Sequence, residues 1–281
     1  MKVKITSDST CDLPAELIEK YGISILPLTV ALGDEIHHDG VDLDTDTIFK
    51  FVEANGTLPM TSAVNVDEYL NEFKKWTDEG FEVVHISLSS ELSSCCRNAM
   101  LAAEMLGNVK VIDSRNLSTG QGLLTITAAE MALNGADSGS IVEKCNEMIP
   151  KIQTSFVINT LDYLYKGGRC SALSAFGANL LHIKPFIAVK DGTMTPGKKY
   201  RGKIASVIAN YTEDTFKGRD DIDRSRIILT STGCPQKVVE DTKKQLLELM
   251  PDIGELIIAV AGCTISTHCG PNSLGIIYAL K

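Results

Sequence analysis

Apolar and polar positions recur along the chain with two different periods, and the switches between them predict most of its elements. "KVKITSDS" (2–9) reads as a strand ending in hydroxyls and a carboxylate. "DLPAELIEKYG" follows as a helix: Asp12 can cap it, Pro14 suits its first turn and Gly22 can end it. "ISILPLTVAL" (23–32) predicts a second strand, with Pro27 marking an edge or a bulge. "TDTIFKFVEANG" (45–56) and "VDEYLNEFKKWTDEG" (66–80) carry apolar residues at helical spacing and each stops at glycine. Strand, helix, strand and helix then follow in "FEVVHISLS", "LSSCCRNAMLAAEML", "VKVIDS" and "GQGLLTITAAEMALNG".

This alternation predicts a parallel sheet with helices on both faces, whose strand ends in Ser, Thr or Asp would line a binding crevice. A second α/β half is expected to begin near "IQTSFVINTL", so the division is placed as 1–151 and 152–281. It predicts strands at 184–190, 226–231 and 255–260 and helices at 174–181, 203–216 and 236–249. "ELIIAVAG" (255–262) reads as a buried strand, which puts "STHCGP" (266–271) at the mouth of the last strands. No repeat or low-complexity tract interrupts either half.

Composition narrows the function. Of 281 residues, 44% are hydrophobic and 22% charged, an ordinary globular balance. The net charge of −9 disfavours nucleic acid, which needs a basic excess. No apolar run is long enough to span a membrane, and the N-terminus lacks the apolar core of a secretion signal. Eight cysteines without metal-ligand spacing predict reduced thiols in a cytoplasmic protein and no metal or other cofactor.

Four hydroxyl-rich segments fall at expected strand ends or helix starts: "TSDSTCD" (6–12), "MTSAVN" (60–65), "SLSSELSSCC" (87–96) and "STHCGP". In "YKGGRCS" (165–171) two glycines bring an arginine close to something. Each has a bland reading alone, as a cap, a turn or a structural histidine. Together, hydroxyls, helix-start amides, one Arg and one His are the parts of an anion site. With no P-loop, dinucleotide fingerprint or nucleophile elbow, the anion is a carboxylate or a small phosphate rather than a nucleotide. "SALSAFGANLLHIKPFIAV" (171–189), apolar with several small residues, reads either as core or as the wall of an acyl tunnel.

These segments, in this order, resemble the DegV family of bacterial fatty-acid-binding proteins. The resemblance runs over nearly the whole chain through "SDSTCDLP", "MTSAVN", "ISLSSELSSCCRNA", "VIDSRNLSTGQGLL", "TLDYLYKGGRCS", "NLLHIKPFIAVKDGTMTP" and "THCGPNSLGI". It implies a two-domain α/β fold with a parallel-sheet N-terminal domain, an α/β C-terminal domain and a fatty acid between them. Its motif positions assign the carboxylate to Thr61, Ser62, Ser93 and His268, with Arg169, Ser94 and Thr267 near the head group. The acyl tunnel is assigned to Ala172, Ala175, Phe176, Leu180, Ile183 and Phe186. The resemblance further implies a non-catalytic subunit that presents the lipid to a separate ATP-dependent fatty acid kinase. The product would be an acyl phosphate for phospholipid synthesis. Arg201 and Lys203 of "GKKYRGK" (197–203) are the candidate docking residues for that partner, with transient contact at a membrane surface left open. Two other readings stand beside this one. The first is an acyl-ester hydrolase using a serine, His268 and a carboxylate such as Asp8. The second is a small-anion or sugar module, disfavoured by an aromatic content of only 6%.

Overall fold

The computed structural model describes residues 2–172 and 183–281. The first segment builds a sheet from β1 (Val3–Asp8), followed by α1 (Ala15–Tyr21), β2 (Ser24–Leu26), β3 (Thr29–Leu32), β4 (Glu35–His38), α2 (Thr45–Asn55) and β5 (Met60–Ser62). Then come α3 (Val66–Asp78), β6 (Glu82–Ser87), α4 (Cys95–Glu104), β7 (Val109–Asp113), α5 (Thr119–Leu133) and α6 (Ser138–Met148). The remainder is β8 (Ile152–Val157), α7 (Asp162–Gly167), β9 (Lys184–Lys190), β10 (Thr193–Tyr200), α8 (Ile204–Phe216), β11 (Ile222–Thr232), α9 (Gln236–Leu249), β12 (Glu255–Val260), α10 (Cys263–Cys269) and β13 (Ser273–Leu280). The helix expected at 174–181 lies outside the described residues.

Strands β2-β1-β6-β7 form the parallel sheet that the alternating pattern predicts. A six-stranded sheet, ordered β10-β9-β8-β13-β11-β12, is antiparallel except where β11 meets β12, and its earliest strand starts at Ile152. The segment "ISILPLTVAL" is not one strand. It divides around Pro27, so that β2 joins the parallel sheet while β3 becomes the centre of a separate antiparallel sheet, β4-β3-β5. Proline has no amide hydrogen to give a ladder, and the chain uses that break to change sheets.

α5 is the centre of the molecule. Its apolar residues surround its whole circumference rather than forming a stripe, the pattern of a helix buried on all sides. One core contains Leu123, Leu124 and Ile126 of this helix, Ile5, Val84 and Ile86 of the parallel sheet, and Ile152, Ile228 and Ile277 of the six-stranded sheet. The contact is so close that side chains are excluded. A Cβ on Gly122 would stand 2.5 Å from the Cys11 carbonyl oxygen, and one on Gly120 would stand 2.2 Å from Thr154 Oγ1. The outer layers follow strand alternation: Val83 packs with α3 and α4, while α8 and α9 cover the far face of the larger sheet.

Two local expectations change. Asp12 does not cap α1, whose N-cap is Pro14. It adopts the left-handed conformation at φ 50°, and its carboxyl turns towards α10 instead. β12 is an edge strand rather than a buried one: Val260 is 64% exposed, while Ile257 and Ala259 face the core. No disulfide joins any of the cysteines among the described residues.

Candidate functional site

"STHC" is not a strand end. Residues 263–269 form α10, a short helix between β12 and β13. Its N-terminus is held by two carboxyl groups from distant parts of the chain. Asp12 accepts from Gly262 N at 2.8 Å, and Asp39 accepts from Cys263 N at 2.7 Å and from Ser9 Oγ at 3.0 Å. Those amides are the orphan donors of a helix start, and carboxylates suit the positive end of its dipole. Burial first, and Asp39 second, push the Asp12 carboxyl well above its usual range, against the hydrogen bonds from Ser118 and Gly262.

One turn later, α10 presents His268. Its Nε2 lies 3.0 Å from Thr61 Oγ1, a contact spanning 207 residues. Thr61 is delivered by β5, paired opposite Val30 in the small sheet. On the other side of the ring, a Cβ at Gly167 would fall 2.4 Å from His268 Nδ1, so the last residue of α7 must be glycine for the imidazole to fit. Burial, and then the nearby Arg169, lower the His268 pKa to about 4, so the ring is neutral at physiological pH. With its proton on Nε2, the ring donates to Thr61 and leaves the Thr61 hydroxyl proton free for a ligand oxygen.

Thr61, Ser62, Ser93, Arg169 and His268 line one cavity, and the rest of its wall is mainly apolar: Leu28, Leu88, Leu92, Leu117, Met194 and Ile265 among others. Its empty volume is about 540 Å³, part of it open to solvent. A second cavity of about 360 Å³ shares Leu117, Ile265 and Cys269 with the first and continues along β8, β11 and β13 past Phe156, Leu274 and Ile277. Together they run from a polar end, where hydroxyls and an arginine converge, into apolar space between the sheets. Such a space suits an amphipathic ligand with an anionic head.

The expected head-group residues do not all meet there. Ser93 lines the cavity half-buried and accepts from Cys95 N at 3.3 Å, which orients it at the start of α4. Ser94 is exposed, and Thr267 is buried but lines neither cavity. The tunnel assignment shifts further. Ala172 is exposed, and Ile183 is half-buried away from both cavities. Phe186 lies on the far face of β9, packed on Tyr211 with ring centroids 5.9 Å apart. Its neighbour Ile187 faces the cavity side, because successive strand residues point to opposite faces. Ala175, Phe176 and Leu180 lie outside the described residues. Thr264 was missed; it lines the cavity one turn before His268, and reading 263–269 as a helix would have paired the two by their spacing.

"TSDSTCD" belongs elsewhere. Asp8 is fully buried and accepts from Ser87 Oγ at 2.8 Å, from Leu88 N at 2.8 Å and from Tyr69 Oη. His85 Nε2 stands 3.2 Å from it. Burial alone would raise this carboxyl, but His85, Tyr69 and Leu88 outweigh it and hold Asp8 below the usual range. The triad of the hydrolase reading therefore does not assemble. Asp8 is committed to His85, and among the described residues the buried Nδ1 of His268 has no hydrogen-bond partner to orient it as a base.

Comparison with known proteins settles the kinship. The DegV family's sequence profile matches residues 2–281. The chain belongs to the DegV family. A DegV domain-containing protein from Caldanaerobacter subterraneus is 33% identical over 100% of this chain and 99% of its own. The fatty acid-binding protein of Thermotoga maritima is 32% identical over 98% of this chain and 96% of its own. Among solved structures, the fatty-acid-binding DegV protein of Thermus thermophilus superposes with a TM-score of 0.89 at 26% identity, covering 100% of both chains. The DegV architecture thus extends over the full length compared.

Proposed function

We propose that this DegV protein binds a long-chain fatty acid in the space between its parallel and six-stranded sheets and presents the carboxylate to a separate ATP-dependent kinase subunit. The observation that carries the reading is the convergence of Thr61, Ser62, Ser93, Arg169 and His268 on one end of an otherwise apolar cavity. In this reading Thr61, polarised by neutral His268, and Ser93 donate to the carboxylate, while Arg169 stands exposed at the rim. The naming of its Thermotoga and Thermus relatives as fatty-acid-binding supports the ligand class. The energetics also support it: burying the roughly fourteen methylenes of a sixteen-carbon chain yields about 11 kcal/mol of gross transfer free energy. That exceeds several kcal/mol of ordering cost. Neutral donors hold the acid without neutralising it fully, so its oxygen remains a nucleophile towards a phosphoryl group.

The test is mass spectrometry of lipid extracted from the native protein, joined to calorimetric titration of palmitate into the delipidated chain. Co-purified fatty acid and saturable binding are expected, and Ser93→Ala should weaken binding by roughly 1–3 kcal/mol, the range for one hydrogen bond to a charged group. Protein that carries no acid and does not bind palmitate would overturn the proposal.

A further inference from the structure

Thr264 carries a hydroxyl for which the described residues offer no partner. The residue is 4% exposed, it lines the head-group cavity, and its buried Oγ1 has no hydrogen-bond partner among the described residues. Thr267 of the same helix shares that state without lining either cavity, whereas five other helical threonines avoid it. Thr125, Thr127, Thr212, Thr215 and Thr242 each donate to the carbonyl four residues earlier, at 2.7–3.0 Å. Thr264 is the second residue of its helix, so the carbonyl four positions back belongs to Val260 at the end of β12, outside the helix. A buried hydroxyl without a partner is unfavourable, and the cavity is the side from which a partner can come.

We propose that Thr264 holds an oxygen carried on the acyl chain, so that the site prefers fatty acids hydroxylated at carbon 2 or 3 over unsubstituted ones. This rests on the fatty-acid reading of the cavity. Thr264 and His268 are four residues apart on one helix face, an axial step of about 6 Å. With the carboxylate held by Thr61 and Ser93 beside His268, a hydroxyl on carbon 2 or 3 would meet Thr264 through one O–H···O bond of about 2.8 Å. An unsubstituted chain at that point leaves the Thr264 hydroxyl unpaired, and sites built to bond a hydroxyl discriminate strongly against ligands that lack it.

The experiment compares dissociation constants of the delipidated full chain for palmitic, 2-hydroxypalmitic and 3-hydroxypalmitic acids. At least one hydroxy acid should bind about ten-fold more tightly than palmitate. Thr264→Val should abolish that preference, Thr264→Ser should keep it, and Thr267→Val, a control at the buried threonine outside both cavities, should leave it unchanged. Equal affinities for all three acids, as a water bridging Thr264 would give, overturn the inference while leaving fatty acid binding intact. So does a preference that survives in Thr264→Val. So does an equal loss for all three acids in that variant, which would make Thr264 a carboxylate donor. If none of the acids binds the wild-type chain, the fatty-acid reading itself fails.

Discussion

At the scale of the residue, His268 shows how burial converts a titratable group into a neutral donor. Its pKa falls from 6.5 to about 4, through burial first and Arg169 second. For a base whose folded value is depressed, the unfolded chain binds the proton first as pH falls. Stability contributed by this group is therefore complete above pH 6.5 and is lost progressively down to pH 4. The gap corresponds to ~3 kcal/mol at 1.36 kcal/mol per pH unit. Urea unfolding of the ligand-free protein should show this loss between the two limits, superimposed on the titration of carboxylates. His268→Gln, which keeps a donor but cannot protonate, should reduce the slope by that amount. An identical pH dependence in wild type and variant would mean that the ring is solvated in solution.

At the scale of the element, α5 and α10 depend on close approach. α5 fits between two sheets because Gly120 and Gly122 carry no side chain where Thr154 and Cys11 come nearest. Gly122→Ala would improve helix propensity, yet the methyl meets a backbone oxygen that cannot rotate away. Overpacking should prevail and lower stability by about 1–3 kcal/mol, read from the urea midpoint. A stabilised variant would show that the sheets separate easily around this helix. α10 is too short to be stable alone. It is placed by Asp12 and Asp39, which come from before β2 and from the end of β4 and bond the amides of Gly262 and Cys263. The hydroxyl-rich segments were legible as caps and candidate ligands because Ser, Thr and Asp satisfy orphan amides locally. That Asp12 caps a helix 250 residues away was not legible, because its proximity to Pro14 also fits the start of α1.

At the scale of the whole molecule, charge selects the surface on which the proposed kinase partnership can be tested. The chain carries −9 overall, while Arg201 and Lys203 are exposed between β10 and α8. Part of the basic run is already used: Lys198 pairs with Asp214 at 2.5 Å, and Tyr200 is buried. Arg201 and Lys203 are thus the residues we propose to test as a docking patch for an acidic kinase, where charge governs encounter rate and orientation. Arg201→Glu with Lys203→Glu should leave fatty acid affinity unchanged, since neither residue lines the cavities. The pair should lower acyl phosphate formation with a cognate kinase, and the defect should shrink with added salt. Equal turnover by variant and wild type at low salt would remove the patch from the docking surface.

Periodicity alone determined the alternating elements, the parallel sheet and the start of the second sheet, because helix and strand repeats are properties of neighbouring residues. The motifs, through their family resemblance, also singled out Thr61, Ser93 and His268, which face one cavity. Only the tertiary structure decided what surrounds them. Phe186 and Ile187 are both apolar neighbours, and nothing local tells which one faces the ligand side; the pairing of β9 between β8 and β10 decides it. Likewise the split of "ISILPLTVAL" between two sheets, and the unpaired hydroxyl of Thr264, arise from contacts between segments far apart in sequence. Local patterns specify what a segment can become, whereas a cavity is defined by atoms that meet only when distant segments pack.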